Sequence, residues 1–467
     1  MSRRIILIVL DGLRPDSVGD ALTPHMAALA LTGVTFTHHH AVFPSVTRVN
    51  SASIATGCHP GNHGLVDNVL YLPGILPDPI DTGDHQALKT LDRATDGHLL
   101  DTPSLTEILG SAGRQVAVAT TCTTGACFLQ NPRGYGLTVN PGFISPERPG
   151  IPARFGTCPP KHRPATEANT WATAIATEYL WKEHRPDLMI LWFCDPDHTQ
   201  HGFGLGAQES HEAIRAADAC VGRMVRTVYD SRERDDTDIL VMSDHGWISH
   251  RAPLPVEKAL IAAGLKQSPE SREVVVAGQG VYLASDAGVS VQEVVACLQR
   301  LDGIGALFTR EGGFGTFPLA AVSCGHSRSP DVLWASAWDA AANTHGVPGM
   351  ALGGGAGGHG GASVYEMNAT LIAAGPDFRR GVISRVPTGQ ADLLPTLLHL
   401  LGHPPAPGKD GRVLLEALAD GVSEQEIEVR KETMTVEQGA YRSVLQRAHA
   451  GGSMYVDQAN AVSRSRP

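Results

Sequence analysis

Four stretches far apart in the chain supply side chains that divalent metal ions take as ligands. "LDG" has Asp11, and "DPDHTQHGFG" has Asp197 and His201 with Asp195 and His198 beside them. "SDHGW" has Asp244 and His245, and "GGGAGGHGG" has His359 in a glycine-rich loop. Mixed carboxylate and imidazole sets suit zinc, and also manganese or iron(II). Three Asp and three His are enough for two neighbouring metals once a hydroxyl completes the set. Singly, each has a plainer reading: an Asp after an apolar run caps a turn, SDHG makes an acceptable turn, and a His between glycines is linker. The weight comes from four segments offering ligand types at what reads as the same edge of one sheet.

The hydroxyl is offered by Thr47, within "VFPSVTRVNSASIATG" (42–57). If Thr47 opens a helix over the small-residue run that follows, the positive helix end and free backbone N–H groups face its oxygen. A metal beside it would lower the hydroxyl pKa and give an alkoxide nucleophile at neutral pH. Asn50, three residues on, returns to the same side of the helix, where it can donate to an oxygen of the attacked phosphorus. Without metal ligands nearby, Thr47 would read as an ordinary helix cap. Arg48 is open to two readings, a surface residue or a partner for a carboxylate or second phosphate of a substrate. His39 and His40, in "HHH", read as exposed loop residues rather than ligands.

The elements that must position these groups are short apolar runs ending in polar residues: "IILIVLDG" (5–12), "QVAVATT" (115–121), "DLMILWFCD" (187–195), "DILVMSDHG" (238–246) and "ATLIAAGPD" (369–377). Continuous apolar character suits strands covered on both faces, as in a parallel sheet between helix layers. Helical patterns lie between them, over 102–113 and 209–231. The alternation predicts an α/β doubly wound fold, in which ligands gather at the carboxyl ends of the strands. Residues 125–165, rich in Gly and Pro, read as a long excursion over one face. Residues 273–310 read strand–strand–helix–strand, a small α+β cap. The expected division is a catalytic core over 1–265 and 349–420, an inserted cap over 266–348 and a C-terminal extension over 421–467. Within that extension, Tyr441 to Tyr455 reads as a terminal hairpin or a loosely docked segment.

Bulk properties narrow the function classes. Hydrophobic content of 42% and charged content of 18% are ordinary for a soluble globular chain. A formal charge of -11 argues against broad binding to nucleic-acid backbone or anionic membrane, which need a basic face. A local cationic site can still take a small phosphate. The six apolar residues Ile5 to Leu10 are too few for a secretory leader, and no stretch approaches a membrane span. The eight cysteines are scattered without a zinc or redox spacing. Reduced thiols and a cytoplasmic location are therefore expected, and a homodimer is compatible with the size.

These segments, in this order, resemble the alkaline phosphatase superfamily, most closely its nucleotide pyrophosphatase/phosphodiesterase branch. The resemblance spans "LIVLDG", "PSVTRVNSASIATGCHPGNHGL", "DPDHTQHG", "VMSDHGW" and "GGHGG…MNATLIAAGPDF", and so covers most of residues 1–415. Thr47, Asn50 and the pair Thr56-Gly57 fit the spacing of that family's nucleophile segment. The resemblance implies that Asp11, Thr47, Asp244 and His245 hold one divalent ion and that Asp197, His201 and His359 hold another, with zinc favoured and manganese or iron(II) as alternatives. It gives Asn50 the role of stabilising the transition state. It implies hydrolysis of phosphodiester or pyrophosphate-type bonds in a small-molecule substrate, through in-line attack by Thr47 and a phospho-threonine intermediate that water releases. Three carboxylates against two dications leave the site positive by one unit. An alkoxide brings it near neutrality, which favours a singly charged diester over a more charged monoester.

Three departures bear on substrate. The usual branch has an aromatic residue after the nucleophile, where this chain has Arg48. "PSVTRVN" is also similar to phosphonoacetate hydrolase, which cleaves a C–P bond with the same metals. That enzyme's carboxylate-binding lysines have no placed equivalent, although Lys161 and Arg163 lie in the 125–165 stretch. Sulfatases fit worse, because "CHPGN" has Asn62 where they need arginine. Two alternatives therefore stand beside the diesterase reading. One is hydrolysis of a small phosphonate, and the other is a non-catalytic metal or phosphate-binding protein, which no missing ligand supports.

Overall fold

The run "RIILIVL" forms strand β1 (Arg4–Leu10), and all seven residues are buried. Successive side chains of a strand point to opposite faces, so β1 feeds two cores. Ile5, Leu7 and Val9 join Ile54, Leu109, Leu393 and Leu397 on one side. Ile6, Ile8 and Leu10 join Met26, Ala172, Ile214 and Val221 on the other. Helices thus cover both faces, which is why the apolar runs show no polar alternation. The computed structural model describes residues 3–463.

Nine strands make the main sheet: β1, β2 (Val34–Phe36), β3 (Val116–Thr120), β4 (Leu137–Asn140), β5 (Phe143–Ser145), β6 (Leu188–Phe193), β7 (Thr237–Met242), β8 (Leu371–Ala374) and β9 (Val382–Ser384). Their order across the sheet is β9-β2-β8-β7-β1-β6-β3-β4-β5. β1 lies between β6 and β7, parallel to both, so Asp11, Asp197 and Asp244 leave the sheet at neighbouring carboxyl ends. β8 runs antiparallel between β7 and β2, and β5 antiparallel beside β4. The other seven share one direction, an α/β sheet that is mostly parallel as expected.

Two expectations need correcting. The 125–165 stretch is not wholly an excursion, because β4 and β5 within it extend the main sheet at one edge. His39 and His40 are buried, at 0% and 6% exposure, in a short strand. His39 meets Thr388 and Gln390, while His40 meets Thr388 and Asp457, so partners from distant segments satisfy rings that the sequence placed in water.

A second sheet of five strands comprises Val274–Ala277, Gly280–Leu283, Ile304–Thr309, Phe317–Pro318 and Val332–Ser336, with helix Val291–Arg300 packed on it. Three antiparallel strands end the chain: Val429–Gln438, Tyr441–Ala450 and Ser453–Ser463. They are firmly docked: Leu445, Val456 and Ala459 share a core with Phe308, Phe317 and Leu333, and the Tyr441 hydroxyl donates to the Gly305 carbonyl at 2.8 Å. Among the described residues, no helix is long and apolar enough to cross a membrane.

Candidate active site

Thr47 is the first residue of helix α1 (Thr47–Thr56), which is buried over nearly its whole length. Small side chains (Ser51, Ala52, Ser53, Ala55) let the helix sit deep in the fold, and it ends at Gly57, whose φ of +67° suits glycine. The Thr47 hydroxyl lies 3.1 Å from His245 Nε2 and is 95% buried, leaving 5% exposure. His245 Nδ1 lies 2.8 Å from the Gly246 carbonyl, so Nδ1 holds the proton. Nε2 then presents its lone pair to Thr47.

The same lone pair faces Asp244 Oδ2 at 3.2 Å and Asp11 Oδ1 at 3.4 Å. Those two carboxylate oxygens are buried and have no hydrogen-bond donor among the described residues. An unprotonated nitrogen against two orphaned carboxylate oxygens is repulsive unless a cation sits among them. Burial, then the neighbouring Asp244 and Asp197, push the Asp11 carboxyl well above the usual carboxylate range. Burial does the same at Asp244. This donor set fits a divalent ion.

A second cluster adjoins it. Asp197 opens helix α2 (Asp197–Phe203), and His201 one turn later returns its Nε2 to 3.2 Å from Asp197 Oδ1. His359 Nδ1 lies 3.0 Å from the Ser45 carbonyl, which fixes the tautomer and turns Nε2 toward Asp197 Oδ1 at 3.5 Å. Trp247 donates its ring N–H to the same carboxylate at 3.0 Å. Burial resists ionisation of Asp197, but His201, His359 and His245 outweigh it and hold its pKa below the usual range. The His245 and His359 rings stack at 3.7 Å between centroids, so the clusters touch. His245 belongs to both compact ligand groups, Asp11–Asp244–His245 and Asp197–His245–His359, with His201 on the more exposed side.

Local structure explains how four segments converge. Gly12, at φ +66°, donates its N–H to Asp244 Oδ1 at 3.1 Å, and a Cβ there would lie 3.0 Å from the Asp197 Cβ. Only glycine admits all three aspartates at this spacing. The glycine loop bearing His359 is held, not slack: Gly357 and Gly358 pair with Ile248 and Ser249, and Gly360 bridges to Ser45, two residues before the nucleophile position.

Asp11, Thr47, Asp197, His201, Asp244, His245 and His359 lie close together, whereas the Asn50 amide turns elsewhere. The Asn50 amide is spent within its own segment: Oδ1 accepts the Val42 N–H at 2.8 Å, and Nδ2 donates to the carbonyls of Val46 at 3.0 Å and Val42 at 3.4 Å. Helical spacing put Asn50 on the correct side, but the 42–46 loop folds back over it. Asn68, which sequence reasoning missed, lies beside the first turn of α1 instead. Its Oδ1 accepts the Arg48 N–H at 3.0 Å, and its Nδ2 has no partner among the described residues. Asp67 holds this loop, accepting the N–H groups of Asn68, Val69 and, from the five-stranded sheet, Gln279. The polar pair in "LVDNVL" between apolar neighbours is the one sequence signal that could have found it. Asp195 braces the loop after Arg163 by accepting from Ala165 and Thr199, and His198 Nε2 is buried without a partner. Lys161 Nζ donates to Thr121, and Arg163 lies over Gly202 beside His201.

Residues 5–343 match the profile of the Type I phosphodiesterase / nucleotide pyrophosphatase family. The chain belongs to that family. Its resemblance to the alkaline phosphatase superfamily holds at the level of the fold. A venom phosphodiesterase of Macrovipera lebetinus is 24% identical over 244 residues, 52% of this chain and 25% of that one. The match thus spans about a quarter of that relative's length. Among solved structures, murine ectonucleotide pyrophosphatase / phosphodiesterase 5, in an inactive form bound to AMP, superposes with a TM-score of 0.64 at 17% identity, covering 87% of this chain and 96% of that one. Phosphonoacetate hydrolase from Sinorhizobium meliloti, bound to phosphonoacetate, gives 0.62 at 21% identity, with 86% and 96% covered.

The two asparagines part in mutagenesis. Asn50→Ala leaves the buried Val42 N–H unpaired and lowers stability by about 1–3 kcal/mol in denaturant titration. Asn68→Ala changes stability little and lowers kcat by roughly 10²-fold, the scale of losing one oxyanion donor. The reverse pattern would return the role to Asn50.

Proposed function

We propose that this protein hydrolyses phosphodiester or pyrophosphate-type bonds of small molecules through a phospho-threonine at Thr47. The observation that carries the reading is the Thr47 hydroxyl set against the His245 lone pair, beside the orphaned oxygens of Asp11 and Asp244. Asp11, Thr47, Asp244 and His245 would hold one divalent cation, and Asp197, His201 and His359 a second, with zinc favoured. When bound, the pair supplies Lewis-acid charge that lowers the pKa of the hydroxyl and offsets charge developing on the phosphoryl oxygens.

The chain's own groups do the rest. The start of α1 fixes the Thr47 oxygen and aims the helix dipole at it. Oγ bonds to phosphorus as the ester oxygen of the leaving group departs, and the free Asn68 Nδ2–H donates to a non-bridging oxygen. The other arm stays on phosphorus until water breaks the Oγ–P bond, which restores the hydroxyl and releases a phosphate monoester. Asp244 and His245 are fully buried and His201 is 39% exposed, so the His201 side is the more open edge of the site.

Lys161 and Arg163 beside α2 support a second reading, hydrolysis of a carboxylated phosphonate. A metal-loaded sample assayed on bis-p-nitrophenyl phosphate, ATP, p-nitrophenyl phosphate, a sulfate ester and phosphonoacetate separates the two. Diester or pyrophosphate cleavage, with the retained arm (p-nitrophenyl phosphoryl from the diester, nucleotidyl or phosphoryl from ATP) as added mass on the Thr47 peptide after acid quench, is the expected result. Phosphate release from phosphonoacetate alone selects the phosphonatase, and metal binding with no turnover overturns both.

A further inference from the structure

Arg48 follows the nucleophile directly, on the first turn of α1, and its side chain is only 16% exposed. Among the described residues its one charged partner is Asp81, Nη2 to Oδ1 at 3.3 Å, and that carboxylate is 70% exposed. The guanidinium Nε is buried and has no acceptor among them. A buried donor left without an acceptor is costly, and beside a nucleophile a ligand group is one way to satisfy it. The Arg48 backbone N–H donates to Asn68 Oδ1 at 3.0 Å, so Arg48 lies between the nucleophile position and the loop that presents Asn68.

Asp81 is a poor permanent partner. It sits on a two-stranded ribbon, Val69–Leu70 with Ile80–Asp81, and the oxygen that meets Arg48 also accepts the Gly83 N–H at 2.8 Å. It engages one Nη and leaves Nε empty, whereas an arginine fork is matched by an anion that takes Nε and Nη together. Exposed ion pairs of this kind shift an equilibrium by no more than about five-fold. An incoming anion therefore displaces Asp81 at little cost and gains a donor that nothing else uses.

We propose that Arg48 is a specificity-determining residue that binds a second anionic group of the substrate, with Asp81 as its displaceable resting partner. This rests on the reading of Thr47 as the nucleophile. The substrate class is then narrower than a simple diester: a phosphoryl compound with a further phosphate or carboxylate near the scissile phosphorus. Arg48 and Thr47 share the first turn of α1, so the fork and the hydroxyl belong to the same end of that helix.

The test is a ratio of kcat/KM values on the metal-loaded enzyme. ATP and phosphonoacetate have the second anion as phosphate and carboxylate respectively, and bis-p-nitrophenyl phosphate has none. Arg48→Met lowers the ratio of the better anionic substrate to bis-p-nitrophenyl phosphate by about 10- to 100-fold, mostly in KM, the scale of a charge-assisted hydrogen bond. Arg48→Lys recovers less than half of that loss on a logarithmic scale, because an ammonium cannot take the anion side-on. Asp81→Asn raises the ratio by up to about five-fold. A loss confined to ATP identifies the second group as phosphate, and one confined to phosphonoacetate identifies it as carboxylate. In parallel, calorimetric titration with inorganic pyrophosphate gives a dissociation constant at least about ten-fold weaker in Arg48→Met. That binding arm reads Arg48 whether or not Thr47 is the nucleophile. An unchanged ratio together with unchanged pyrophosphate binding overturns the proposal. Activity that survives loss of the Thr47 hydroxyl overturns the nucleophile reading alone.

Discussion

Thr47→Ala lowers turnover of the best substrate by roughly 10³-fold or more, in line with removal of a nucleophile from a site that keeps its other parts. The protein stays folded, since the hydroxyl has one partner, His245, and the methyl group of alanine fits where threonine stood. Its melting temperature is the control. Thr47→Ser keeps an attacking oxygen and retains measurable turnover, and only forms with that oxygen acquire the phosphoryl adduct, with its retained ester arm, at position 47. Full activity in Thr47→Ala would end the assignment.

Removing divalent ions has the second large effect, and its sign differs between activity and mutant stability. Chelation abolishes turnover and lowers stability by about 3–4 kcal/mol relative to protein held at 100 to 1,000 times the dissociation constant. In the chelated protein Asp11 and Asp244 lie buried together with orphaned oxygens. Burial raises both carboxyls, so their protonated forms are favoured in the fold; the associated stability is present at low pH and is lost as pH rises above the unfolded value. Asp244→Asn removes one of these charges. It raises the melting temperature of chelated protein at neutral pH and shrinks the gain on adding zinc. Differential scanning calorimetry with and without zinc reads both changes. A variant that is less stable than the parent without metal and gains as much with it would sink the cation-site account.

Much of this site was legible because strand ends announce themselves. An unbroken apolar run must be covered on both faces, so the first polar residue after it marks the sheet edge, and Asp11 and Asp244 were placed that way. Strand direction is different. The runs at 238–246 and 369–377 look alike, yet β7 and β8 are antiparallel, because pairing direction depends on the path of the connection and leaves no trace in periodicity. Asn50 shows a second limit: helical spacing gives the side a residue faces, not what its amide bonds to, and the 42–46 backbone had prior claim. Asn68 lies on a loop with no period to read. His39 and His40 looked solvated because their partners Thr388, Gln390 and Asp457 are more than three hundred residues away.

Asp67 grips the turn at Gln279 with one oxygen and the backbone of Asn68 with the other. Under the proposed mechanism, exchanging the 274–336 sheet therefore alters chemical speed, because the loop that carries the Asn68 donor is clamped from the Gln279 turn of that sheet.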